Sequence, residues 1–191
     1  VGSAVLNRVV GVDPSSIYGT LSSNGKLFLV NPNGIIFGPN SRVNAPAILA
    51  STFDITNDDF LKGNYNFFKN GGSASIINQG RLAASPGGYI ALLSQAVNNQ
   101  GVIIADLGTV ALAAGNKMTL ALDSRDQISV VIDDAVTTEV LGPNGQKMTS
   151  AIENSGTIQA NGGKVILTAK VLNDVFDYAV NNSGVIQATS L

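Results

Sequence analysis

The sequence contains no cysteine, no histidine and no tryptophan. Without thiols it forms no disulfide and offers no thiolate to a metal. Without imidazole it lacks the commonest zinc ligand and the usual general base near neutral pH. A cysteine-free chain also suits passage through an oxidising compartment, where stray thiols would cross-link. Charge is scarce: Asp, Glu, Lys and Arg make up 13% of 191 residues, about half the usual ~25%. Eleven basic residues against 13 acidic ones leave a net charge of −2, and the basic ones are scattered along the chain. No stripe exists to neutralise a phosphate backbone, so nucleic acid is a poor partner. No apolar run approaches the ~18 residues of a membrane span; stretch 1–12 is broken by Asn7 and Arg8, and no membrane insertion is expected. The chain begins inside an apolar pattern, without an initiator Met or a signal-peptide pattern. It is expected to be a mature or trimmed piece of a longer protein.

What is present is a repeat. Ile77–Ala84, Val97–Ala105, Ile152–Ala160 and Val180–Ala188 share an apolar residue, an Asn or polar pair, Gly, a variable residue, an apolar residue and Ala. A second pattern, Gly-x-apolar-x-Leu, follows at Gly88–Leu92, Gly108–Leu112 and Gly163–Leu167. Its glycines stand 20 and 55 residues apart, and those of the first pattern (80, 101, 156, 184) stand 21, 55 and 28 apart. Gly19–Leu29 echoes the same unit near the start. A period near 20 residues, with short alternating strands between Gly/Asn/Ser turns, cannot bury an apolar face alone. It buries one by stacking on its neighbours about 4.8 Å apart. The expected fold is all-β, a right-handed parallel β-helix forming one domain over 1–191, with six to seven coils of ~20 residues. Asn78, Asn98, Asn154 and Asn182 are expected at the turns, in left-handed conformations and in side-chain ladders between coils. A β-sandwich is the competing architecture, but it gives no reason for residue identities to recur at turns. Two stretches, 54–75 and 123–150, break the repeat and are expected to be β-hairpins lying outside the helix.

One ordered series of motifs points further. Asn7-Arg8-Val9, Ser15–Leu21 and Asn24–Gly38 lead through Asn31-Pro32-Asn33-Gly34-Ile35 to Asp58-Asp59-Phe60-Leu61 and Gly63–Phe67. This series resembles the haemagglutination-activity domain at the start of filamentous haemagglutinin and other two-partner-secretion exoproteins, strongly over Asn7–Phe68 and more loosely beyond. The resemblance implies export via the periplasm of a Gram-negative-type bacterium. The partner it implies is an Omp85-type (TpsB) outer-membrane transporter, which recognises its substrate through POTRA domains. It also implies folding outside the cell as the first segment of an adhesive or cytolytic fibre, which would meet host-cell or matrix surfaces. An N-terminal cap and an earlier Asn-Pro-Asn-Leu motif, present in many members, are missing here, so end-to-end self-association of uncapped coils is a further expectation. On the residues themselves, Asn31-Pro32-Asn33-Gly34 reads as a tight turn, with Pro32 fixing φ and Asn33 or Gly34 free to take φ > 0. Asn31, Pro32, Asn33, Gly34 and Ile35, with Asn7 and Arg8, are the candidate secretion motif. A structural turn and direct transporter contact both account for it.

Other sites read as structural. Asp133-Asp134, Asp123 with Asp126, and Asp58-Asp59 are the only candidate catalytic carboxylates. Neighbours on a strand point to opposite faces and share no substrate, and Arg125 and Lys147 stand alone. Asp58-Asp59 lacks the Asp-x-Asp-x-Asp-Gly order of a calcium loop. No catalytic residue, metal site or cofactor is expected. Tyr65, Phe67 and Phe68 are either a surface interaction patch or the packing face of the first excursion. A free-standing carbohydrate-binding or carbohydrate-cleaving β-helix is the alternative function.

Overall fold

The computed structural model describes residues 3–123 and 127–190. The chain winds through three parallel sheets in turn. The first coil is β1 (Ala4–Arg8), β2 (Ser15–Ile17) and β3 (Thr20–Ser22); the second is β4 (Lys26–Val30), β5 (Ile35–Phe37) and β6 (Arg42–Ala45). β7 (Ile48–Ser51) opens the third, which α1 (Asn57–Lys62) and β8 (Tyr65–Phe68) interrupt before β9 (Ser75–Asn78) and β10 (Arg81–Ala84) complete it. β11 (Tyr89–Ser94), β12 (Ala96–Asn99) and β13 (Val102–Ile104) form an uninterrupted fourth coil. β14 (Thr109–Ala114) leads out into β15 (Lys117–Leu122) and β16 (Ile128–Asp134) before β17 (Ser150–Asn154) and β18 (Thr157–Gln159) close the fifth. β19 (Lys164–Ala169), β20 (Tyr178–Asn182) and β21 (Val185–Gln187) make the sixth. The sheets run β1-β4-β7-β11-β14-β19, β2-β5-β9-β12-β17-β20 and β3-β6-β10-β13-β18-β21, six strands each. This is the parallel β-helix expected from the repeat.

Alternation places Leu27, Leu29, Ile48, Ile90, Leu92, Val110 and Leu112 inside, stacked on Ile35, Ile76, Val97 and Ile152 from the second sheet and Val43, Leu82, Ile103 and Ile158 from the third. At the corner after the second sheet runs a ladder of asparagines. Asn78 Nδ2 donates to Asn99 Oδ1, Asn99 Nδ2 to Asn154 Oδ1 and Asn154 Nδ2 to Asn182 Oδ1, each at 2.7 Å. Phe37 pairs with Asn78 one coil below and takes that rung with a ring. The ladder uses Asn99 where the repeat suggested Asn98, whose side chain instead donates to Glu153 Oε2 at 3.2 Å. Nor are these asparagines left-handed: among the described residues the non-glycine positions with φ > 0 are Leu107 and Asp174. Extended backbone keeps successive carboxamides in line, which a left-handed corner would not.

The recurring glycines answer a contact rather than a turn. A Cβ on Gly101 would collide with the Gly80 carbonyl, one on Gly156 with Gly101, and one on Gly184 with Gly156. The same holds for Gly108 on Gly88 and Gly163 on Gly108. Two corners of the coil are therefore closed by backbone lying directly on backbone. Both long insertions, and the loop 9–14, leave at the third corner, between the first and second sheets.

The insertions meet on the outer face of the first sheet. β15 pairs antiparallel with β16 on one side and with β8 on the other, giving a three-stranded outer sheet. Between the two sheets lies a second core, with Phe28, Leu49, Tyr89, Ala91, Leu93 and Ala111 below and Phe67, Met118, Leu120 and Ile128 above. The middle of the first sheet is consequently buried on both faces: β11 and β14 are buried at every residue. That fits their near-continuous apolar sequences. The first insertion thus departs from the expected hairpin: it supplies one short helix and one strand. Thr56 caps α1 by accepting from the Asp59 N–H, Asp58 and Asp59 occupy the first turn, and Gly63 ends it at φ 74°. The second insertion does contain a hairpin, but it starts at Lys117 rather than 123, because β15 continues the polypeptide straight off β14 after Gly115-Asn116. Asp126 and Arg125 lie outside the described residues.

Close backbone contact makes a graded prediction. Gly101→Ala should destabilise the domain by about 1–3 kcal/mol, the usual range for overpacking. Gly72→Ala, where a Cβ meets nothing within 4 Å, should stay within about 0.5 kcal/mol of the parent. Urea unfolding of both variants checks this; equal effects would contradict the stacking.

Candidate functional site

The Asn-Pro-Asn-Gly motif forms the open corner of the second coil. The Asn31 N–H donates to Ser51 O at 3.0 Å, extending the first sheet by one rung. The Gly34 N–H then donates back to Asn31 O at 3.1 Å, closing a four-residue turn. Gly34 has φ 111°, so of the two candidates for the left-handed position it is Gly34 that takes it. Ile35 drops directly into the helix interior.

Asn31 is fully buried. Its Nδ2 donates to the Asp13 carbonyl at 3.0 Å and to Ser15 Oγ at 2.9 Å. Its Oδ1 accepts from the Asn33 N–H at 2.9 Å and from Asn33 Nδ2 at 3.2 Å. Asn33 Nδ2 donates in turn to the Gly11 carbonyl at 2.8 Å. The two carboxamides thus fasten the loop 9–14 of the first coil onto the corner of the second. Pro32 sits half-buried under Gly71, whose added Cβ would lie 3.2 Å from the proline ring. Of the five motif residues, Asn33 and part of Pro32 face solvent.

Arg8 completes the arrangement from the end of β1. Its Nε lies 2.8 Å from Asp54 Oδ1 and its Nη1 donates to Asn57 Oδ1 at 2.8 Å, while Nη2 donates to the Ile55 carbonyl. Asp54 also accepts from the Ile55 N–H at 2.8 Å and from Asn70 Nδ2 at 3.3 Å. One guanidinium therefore ties the first strand to the base of the first insertion. Asn7 does less; it is exposed, and its Nδ2 reaches Phe28 O only at 3.5 Å. Beside this corner the loop carries Val10 and Val12, 91% and 85% exposed.

The aromatic candidates divide. Phe67 is wholly buried in the second core, and the half-buried Tyr65 ring lies 5.2 Å from Phe28. Phe68 alone of the three is exposed, so they do not form one surface patch; strand alternation sends 65 and 67 inward. The candidate carboxylates are also scattered. Asp133 Oδ2 accepts from Thr119 at 3.2 Å, Asp58 pairs with Lys62 at 3.6 Å, and Asp123 caps the Gln127 N–H at 2.9 Å. Among the described residues no three acidic side chains gather as a metal would require.

The family model for the TPS secretion domain matches residues 2–191. The chain belongs to this family. A TPS secretion domain is the exported segment of an exoprotein in two-partner secretion, its partner an outer-membrane TpsB transporter. Among curated proteins it is 33% identical over 198 residues to a heme/hemopexin-binding protein of Haemophilus influenzae strain Rd, covering 99% of this chain and 20% of that protein. A second H. influenzae heme/hemopexin-binding protein is 29% identical over 206 residues, covering 97% and 21%. The chain thus spans about one fifth of the curated relatives it matches. The crystal structure of the HMW1 secretion domain from H. influenzae superposes with a TM-score of 0.79 at 32% identity, over 100% of this chain and 46% of that one.

Sequence reasoning found the motif residues but not their partners. Arg8 and Asp54 are 46 residues apart and Asn31 and Asp13 are 18 apart; neither spacing belongs to the repeat. Asn31→Ala should destabilise by about 1–3 kcal/mol, because it removes a buried carboxamide and the hydrogen bonds it makes to Asp13, Ser15 and Asn33. Asn33→Ala, at the exposed edge, should lose well under half as much. Equal losses in urea unfolding would contradict the assignment.

Proposed function

We propose that this secretion domain leads a longer, adhesin-like exoprotein, is recognised in the periplasm by the POTRA domains of an Omp85-type transporter, and folds at the cell surface as the first coils of a fibre. The observation that carries this reading is the Asn31–Ile35 corner, where the family motif is also the joint between the first two coils. A chain that cannot close that joint stays extended, the form that can pass a β-barrel pore. On this reading the domain needs no chemistry of its own; among the described residues no three acidic side chains gather, and the chain has no His or Cys. The H. influenzae relatives are named for heme and hemopexin; we assign any such ligand to other parts of the longer protein. A free-standing carbohydrate-active β-helix is not favoured.

The test is export. Carrying a Sec signal peptide, the domain should reach the medium in protease-resistant form only when its TpsB transporter is co-expressed. Release without the transporter, or retention in the periplasm with it, would contradict the proposal.

A further inference from the structure

The outer face of the third sheet carries a charge arrangement that folding does not explain. Arg42 and Arg81 occupy paired positions on adjacent strands, about 4.8 Å apart. Both point outward, since Val43 and Leu82 beside them are fully buried. Like charges directly opposite one another destabilise a sheet. Yet among the described residues neither guanidinium has an ion-pair or hydrogen-bond partner. The outward positions of neighbouring strands offer Thr20, Ser22, Asn44, Ala83, Val102, Ile104, Thr157 and Gln159, with no carboxylate among them. The acid beyond the far end, Asp106, already accepts from Gln159 Nε2 at 2.9 Å and from the Asn161 N–H at 2.9 Å.

The arginines border an open depression of about 580 Å³ that runs across the coils, floored by Gly80, Gly101 and Gly156. The stacked glycines keep that floor low. Gln79 Nε2 donates to Gln100 Oε1 at 3.0 Å, which leaves the exposed Gln100 amide its own N–H donors. One coil below the Pro39 end stands Tyr18, 62% exposed, its ring edge against Gly38, where any side chain would collide with it.

We propose that this face binds a linear acidic polysaccharide, its carboxylate or sulfate groups on Arg42 and Arg81, its hydroxyls on Gln100 and one sugar ring on Tyr18. Arginine forks match planar carboxylates bidentately, and carboxamides serve hydroxyls as donor and acceptor. Tyrosine presents an apolar face with a polar tip, as a sugar ring requires. Two cations are too few for a nucleic acid backbone, and no exposed large aliphatic side chain borders the depression to enter a lipid layer. The site is a property of the folded domain and is independent of the transporter.

Binding of the whole purified domain to hexagalacturonate and chondroitin sulfate hexasaccharide tests it, with maltohexaose, hexaglutamate and phosphatidylglycerol vesicles as comparators. At least one acidic sugar should bind. Arg42→Gln and Arg81→Gln should each weaken it about tenfold, the equivalent of one charge-assisted contact. Tyr18→Ala should weaken it too, Tyr18→Phe should not, and Lys62→Gln, on α1, should change nothing. All four altered positions are exposed, and unchanged unfolding midpoints would confirm intact folds. The proposal is overturned if neither acidic sugar binds, or if the arginine variants bind like the parent. It is equally overturned if hexaglutamate or the vesicles bind as tightly through the same arginines.

Discussion

Everything in this domain depends on backbone lying on backbone at two corners of the coil. Gly80, Gly101, Gly156 and Gly184 stack along one, and Gly88, Gly108 and Gly163 along the other. Only hydrogen fits between successive turns there. Because those corners are closed, inserted sequence has one exit, and both long insertions take it. Because both leave on the same side, they meet over the first sheet, where β8, β15 and β16 build one outer layer. Tight corners also hold the carboxamides of Asn78, Asn99, Asn154 and Asn182 in bonding distance through four coils. A buried carboxamide is costly to leave unpaired. The ladder therefore penalises any slip of one coil against the next.

The outer layer gives the Asn31–Ile35 corner its setting. Phe28 from β4 lies 5.2 Å from both the Phe60 and Tyr65 rings, so the first insertion grips the strand that runs directly into Asn31. Arg8 grips the same insertion from the first coil through Asp54, Asn57 and Ile55. The motif thus sits where the first coil, the second coil and an insertion converge. Its buried carboxamide holds them together in the folded domain.

The repeat was legible in the sequence because stacking demands the same residue at the same corner on every coil. Gly, Asn and the inward Leu and Ile positions therefore recur. Asn99 was in fact legible over Asn98: Asn78, Asn99, Asn154 and Asn182 each stand two residues before Gly80, Gly101, Gly156 and Gly184, a spacing that Asn98 breaks. The insertions were visible as gaps in the period, but their shapes were not. A strand such as β8 acquires its partner, β15, only in three dimensions, across a separation unrelated to the repeat. The doubly buried first sheet did leave a sign in runs such as Tyr89–Ser94 and Thr109–Ala114, whose continuous apolarity exceeds what one buried face needs. The Asn31–Gly34 turn was legible from its residue types. Its mechanical role was not, since Asp13, Ser15 and Asp54 carry no pattern of their own.

Under the proposed function, secretion depends on the Asn31–Ile35 corner and on Arg8 because they hold the fold. It is tested most directly by plotting secreted yield against unfolding free energy for substitutions spread along the chain, at Arg8, Asn31, Asn99 and Gly156. The expected result is a single trend, with Asn31 variants on the same line as Asn99 variants two coils away. Asn31 variants that keep parental stability but lose secretion would contradict it and make the corner a recognition signal.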